Sequence, residues 1–139
     1  MFFSMSHPLI VHFPMALLAS GTLFRLFGKI QNEESILEAG RFNIIFGFWT
    51  LPLALLVGLL GKSEITMKPQ FQNFIDSHFQ YAFLSLGIFT TIMILDKLPK
   101  NRLTGLMHYL LCASGLAAIL ATGFFGGELV HRFDLPTFR

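Results

Sequence analysis

Five histidines are the residues of this chain whose chemistry and placement invite a function. His7 and His12 lie near the start of the first apolar segment, His78 opens the third, and His131 follows the fourth, one turn after Glu128. Only His108 falls toward the other end of its segment. If the segments alternate in direction across a bilayer, four of the five imidazoles gather at one membrane surface. Ionisable groups within a membrane are costly to keep there and mark functional sites by default. Neutral imidazole is also the commonest metal ligand among side chains, and two imidazoles from facing helices can hold haem iron axially.

Spacing narrows the choice. His7 and His12 are five residues apart, about 140° of helix rotation, so both cannot aim at one point inside a bundle. His12 is the deeper, and its face continues with Ala16 and Ser20. His78 is followed on its face by Ala82 and Ser85, and His131 is preceded by Gly127 and Gly123. Small side chains beside each imidazole leave room for a flat macrocycle, and they equally suit tight helix packing. The expectation is a b-type haem held by His12 and His78, which face each other if helices one and three are diagonal in an up-down bundle. His131 is the substitute ligand if the helix order differs. Arg132 or Lys68 would neutralise the propionates, and Phe13, Phe79, Phe83, Phe124 and Phe125 would form an apolar wall. His7 and His131 also fit an ordinary place at the headgroup level, and His108 a structural one.

Other readings stay open. A copper or zinc site on His12 and His78 uses the same cluster, and a non-catalytic accessory or assembly subunit of a larger membrane complex needs no cofactor. The absence of a CxxCH motif excludes covalent c-type attachment. No carboxylate pair, Ser-His-Asp grouping or phosphate-binding loop supports hydrolytic or kinase chemistry.

The elements that must position these side chains are apolar helices. Hydrophobic residues make up 53% of the 139 and charged residues 13%, against about 25% charged in an ordinary soluble domain. A chain this short could not hide so much apolar surface from water, because small domains bury the smaller fraction of theirs. Four segments, about 8–27, 42–60, 78–95 and 103–129, each come near the length of about 20 residues that a helix needs to cross hydrocarbon. Lipid cannot satisfy a bare backbone, so helices are the expected solution; the period-2 alternation of a membrane β-barrel is absent. The expected fold is an all-α membrane protein, a single four-helix up-down transmembrane bundle. Asp76 or Ser77 is the expected N-cap of helix three, and Lys62 to Ser77 a connection lying partly along the interface. Gly123 and Gly127 form a GxxxG pair, suited to bundle packing or to a homodimer seam.

Charge sets the remaining bounds. A net charge of +2 is too small to argue for nucleic acid. Arg25, Lys29, Arg41, Lys97, Lys100 and Arg102 fall on one side of the membrane and Lys62, Lys68, Arg132 and Arg139 on the other. By the positive-inside rule the first set is cytoplasmic, which puts both termini at the periplasmic face of a bacterial inner membrane. Cys112 lies in an apolar run with no second cysteine, so no disulfide framework exists.

The two ends of the chain carry a resemblance. Ser6-His7-Pro8-Leu9-Ile10-Val11-His12-Phe13-Pro14-Met15-Ala16-Leu17 resembles the opening HPxxVHFPIAL of a bacterial family of predicted membrane proteins, domain of unknown function 2231. Gly123-Phe124-Phe125-Gly126-Gly127-Glu128-Leu129-Val130 resembles its closing GYxGGELV, and His78 stands where that family has a histidine opening its third helix. The resemblance covers essentially the whole chain and implies a four-helix membrane fold. Relatives that occur beside cytochromes make redox work the implied setting, with a c-type cytochrome or a respiratory complex as the expected partner. The family commonly continues GGELVYxHG. Here Phe133 replaces that histidine and His131 replaces the tyrosine, which leaves His12 and His78 as the stronger candidates.

Overall fold

The computed structural model describes residues 2–65, 68–99 and 101–133. It contains four antiparallel helices, α1 (Phe2–Gln31), α2 (Glu34–Ser63), α3 (Pro69–Leu95) and α4 (Arg102–His131). All four are long and apolar enough to cross a membrane. A 30-residue helix is about 45 Å long, well beyond a hydrocarbon core of about 30 Å. Apolar side chains cover the outside as well as the inside: Trp49 is 70% exposed, Leu120 62% and Phe124 61%. In water that surface would be an aggregation site; in lipid it is solvated. The chain is a four-helix, all-α transmembrane bundle.

The helices start earlier than apolar runs alone suggest. Only Asn32 and Glu33 separate α1 from α2. Asn32 adopts a left-handed φ of 55°, a conformation asparagine tolerates better than most residues. This lets the Glu33 N–H reach back to the Gly28 carbonyl at 2.9 Å, a Schellman closure that satisfies an end carbonyl. The expected polar connection from Lys29 to Arg41 is therefore mostly helix. Likewise α3 begins at Pro69, not near His78. Proline suits a first helical position because its missing N–H has no partner there in any case. Asp76 and Ser77 are interior residues of α3, not its cap, and Phe71 and Ile75 pack with Phe79, Leu129 and Phe133. The Asn101 side chain and Thr104 form a reciprocal capping box that starts α4. Lys100 and Arg139, counted in the charge bias, lie outside the described residues.

Close backbone contact joins α1 to α2. A Cβ on Gly21 would lie 2.8 Å from the Ile44 backbone nitrogen, and one on Gly40 2.8 Å from the Arg25 nitrogen. In lipid there is no hydrophobic drive between helices, so close approach and interhelical hydrogen bonds supply the cohesion. Asn43 Nδ2 donates to Ser20 Oγ at 3.0 Å across this same seam. The expected GxxxG pair has a different place: a Cβ on Gly123 meets only the Met15 methyl, and Gly127 faces open space.

The bundle is thus two hairpins, α1/α2 and α3/α4, each packed more tightly within itself than against the other. Helices α1 and α3 stand on the diagonal. A core of Leu18, Ile44, Leu51, Phe89, Ile92, Cys112 and Ile119 fills the middle. At one end a polar clasp ties the hairpins together. Arg25 Nη2 donates to Asp96 Oδ1 at 2.9 Å, and His108 Nε2 lies 2.8 Å from the same guanidinium nitrogen and 3.1 Å from the same carboxylate oxygen. Cys112 Sγ stands 3.6 Å from His108 Nδ1. At the other end, the histidine end, the hairpins part.

Candidate functional site

The gap between the hairpins at the histidine end is a cavity of about 640 Å³, within the range of small-molecule and cofactor sites. All four helices contribute to its wall. Val11, Met15, Ala16 and Ala19 come from α1, Gly58 and Gly61 from α2, Ile75 and Phe79 from α3, and Ile119, Gly123, Gly126 and Gly127 from α4. The polar exceptions include His7, His12, Lys62, His78, Thr122 and His131. A smaller void of about 40 Å³ runs on toward Pro14, Leu51, Ala54 and Ala82, and shares His7 and His78 as wall residues. The histidine pair therefore borders both spaces.

The two rings that meet across the gap are His7 and His78. Their centroids are 6.0 Å apart and their planes are perpendicular at 88°. Each ring enters its place because the facing helix has a glycine there. A Cβ on Gly58 would lie 2.7 Å from His7 Cε1, and a Cβ on Gly126 3.1 Å from His78 Cε1. His78 Nδ1 donates to the Thr122 carbonyl at 2.9 Å, which fixes the tautomer and leaves Nε2 with its lone pair. His7 Nδ1 is buried and makes no hydrogen bond of ordinary geometry, while the ring interacts with the Ala54 backbone on α2.

His12 does not face His78 as expected. It is exposed at the cavity's edge, and its Nδ1 donates to the carbonyl of Pro8 on its own helix. His131 also lines the cavity and is exposed. Arg132 stands outside the wall, where Nη1 pairs with Glu128 at 3.4 Å and the guanidinium lies over the Phe74 ring at 5.3 Å. Of the expected phenylalanine wall only Phe79 lines the cavity; Phe13, Phe83 and Phe124 turn outward, and Phe125 stacks on Tyr81 at 5.5 Å. Sequence reasoning gave His7 an ordinary place at the headgroup level, counted Lys62 only in the charge bias, and did not single out Gly58 or Thr122. The signal available was the run of small residues Ala54, Gly58 and Gly61 along α2, which marks a face that something approaches closely.

Fold and site together define a multi-pass membrane protein with a histidine-lined cavity between two helical hairpins. Over residues 5–138 the chain matches the family model described as predicted membrane protein DUF2231, and it belongs to that family. Comparison with curated proteins and with solved structures returns no match.

Proposed function

We propose that the protein is a small b-type cytochrome, or the haem-bearing redox subunit of a larger complex, in which His7 and His78 would hold the haem. The observation that carries this reading is the meeting of two imidazoles from separate hairpins in an apolar cavity large enough for a macrocycle. The two ring centroids lie 6.0 Å apart with perpendicular planes. The fixed His78 tautomer and the two glycine cradles fit the same group. Haem held there would supply transfer of single electrons.

The protein's own residues hold and shield the site. Thr122 orients His78, Gly58 and Gly126 admit the rings, and the apolar wall keeps water away. His7 takes the role expected of His12, which stands at the rim with His131. The same geometry favours haem over a copper or zinc site. Among the described residues no group of three or more His, Cys, Asp or Glu side chains comes together to hold a metal ion. Zinc sites use three or four protein ligands, whereas haem brings its own nitrogens and asks for two.

The setting is a bacterial inner membrane. Arg25, Lys29, Arg41, Lys97 and Arg102 gather at the clasp end, against Lys62, Lys68 and Arg132 at the histidine end. By the positive-inside rule this bias supports a cytoplasmic clasp and a cavity at the periplasmic face, where a c-type cytochrome or a respiratory complex would exchange electrons with it. The test is a visible spectrum of the detergent-purified protein, oxidised and reduced, with and without added haem. A Soret band that moves on reduction, is lost in His7→Ala and in His78→Ala, and survives in His12→Ala is the expected result. No Soret band after haem supplementation would overturn the proposal.

A further inference from the structure

Among the described residues lining the cavity, Lys62 alone has a fixed positive charge. It follows Gly58, which cradles His7, by one turn of α2, and so lies about 6 Å farther toward the histidine end of the bundle. The opposite, inner part of the cavity is closed by Ala19 and Ile119. The space therefore has one apolar end and one cationic end. Lys62 Nζ lies 3.5 Å from Asp76 Oδ1, with side chains 36% and 45% exposed, and also stands over the Phe79 ring at 5.0 Å. Asp76 is held separately by Gln72 Nε2 at 3.0 Å. An ion pair this long and this wet is weak, so the ammonium can turn to a second carboxylate with little loss.

We infer that Lys62 anchors the propionate edge of the haem that His7 and His78 would hold, and so orients the macrocycle with its acidic edge at Lys62 and its apolar edge toward Ala19 and Ile119. This rests on the haem reading above. The expectation of Arg132 or Lys68 in this role gives way to Lys62, because Arg132 and Lys68 are not cavity-lining residues.

The experiment is a Soret titration of the full chain in detergent with two probes, haem and its dimethyl ester, in which both carboxylates are capped. The unmodified protein should bind the free acid about tenfold tighter than the diester, the difference of a charge-assisted contact at a partly exposed site. Lys62→Met should bind the two forms about equally, Lys62→Arg should keep the preference, and Asp76→Asn should raise it, because the ammonium then has no competing partner. Circular dichroism of each variant checks that the helices are intact without ligand. If Lys62→Met binds both forms and keeps the full preference, the anchor is refuted while the haem site stands. If the unmodified protein gives a Soret band with neither form, the haem reading fails and the anchor falls with it.

Discussion

Replacing Asp96 with asparagine tests whether the clasp between the hairpins is as buried as its geometry implies. Its carboxylate accepts from Arg25 at 2.9 Å, and the two side chains are 16% and 12% exposed; His108, at 7%, lies 3.1 Å from the same oxygen. Arg25 Nε already lacks a partner, so the guanidinium has little in reserve. Removing one partner of a buried pair costs about 3–5 kcal/mol, because the other charge is left uncompensated. The residual exposure argues for the lower end, about 3 kcal/mol. The assay is equilibrium unfolding by SDS in mixed micelles, at about pH 7 and about pH 3. Burial alone would raise the Asp96 carboxyl, but the His108 hydrogen bond and the Arg25 charge outweigh burial and hold it below the ordinary aspartate range. A folded value below the unfolded one means that the contribution is complete above that range and fades as pH falls through it. Asp96→Asn should therefore unfold more easily at neutral pH and lose Asp96's share of the acid-side slope. The double variant Arg25→Met/Asp96→Leu should cost less than either single change, since apolar replacement removes both charges together. A loss below about 1 kcal/mol for Asp96→Asn, the value of a solvent-exposed pair, would refute the reasoning.

Further outcomes follow from the same contacts. Gly58→Ala places a Cβ 2.7 Å from His7 Cε1; the ring, at the end of a side chain, should give way, so SDS unfolding should change little while haem titration weakens at least about tenfold. Gly21→Ala sets a Cβ 2.8 Å from backbone that cannot move aside and should cost about 1–3 kcal/mol in the same unfolding assay, whereas Gly127→Ala, facing open space, should stay within about 0.5 kcal/mol. Glu64 Oε2 accepts the Ser4 N–H at 2.9 Å, and this bond is the largest influence holding its carboxyl down at about 2. Its hold on the start of α1 should persist above the ordinary glutamate range and fade as pH falls from there toward about 2; the protection factor of the Ser4 amide, with the intrinsic exchange rate divided out, should fall over that interval, and at neutral pH in Glu64→Gln.

The spanning architecture was legible in the residues because hydropathy over some twenty positions, together with the backbone's need for internal hydrogen bonds in lipid, leaves helices as the outcome. The crowding of imidazoles at one end was legible too, since it needs only the alternation of antiparallel spans. Helix ends were less so. The start of α3 carries Gln70, Gln72 and Asn73, whose polarity reads as loop, although Phe71 and Ile75 turn that stretch inward. What the tertiary structure alone decided is rotation about each helix axis. In water a polar stripe marks the outer face of a helix. Here lipid and core both accept apolar side chains, so Phe13 and Phe124 point outward as readily as Phe89 points inward, and the pattern around α1 has no mark to choose between His7 and His12. That choice was made by the close glycine contacts that fix how α1 lies on α2, and they turned His7 inward to His78.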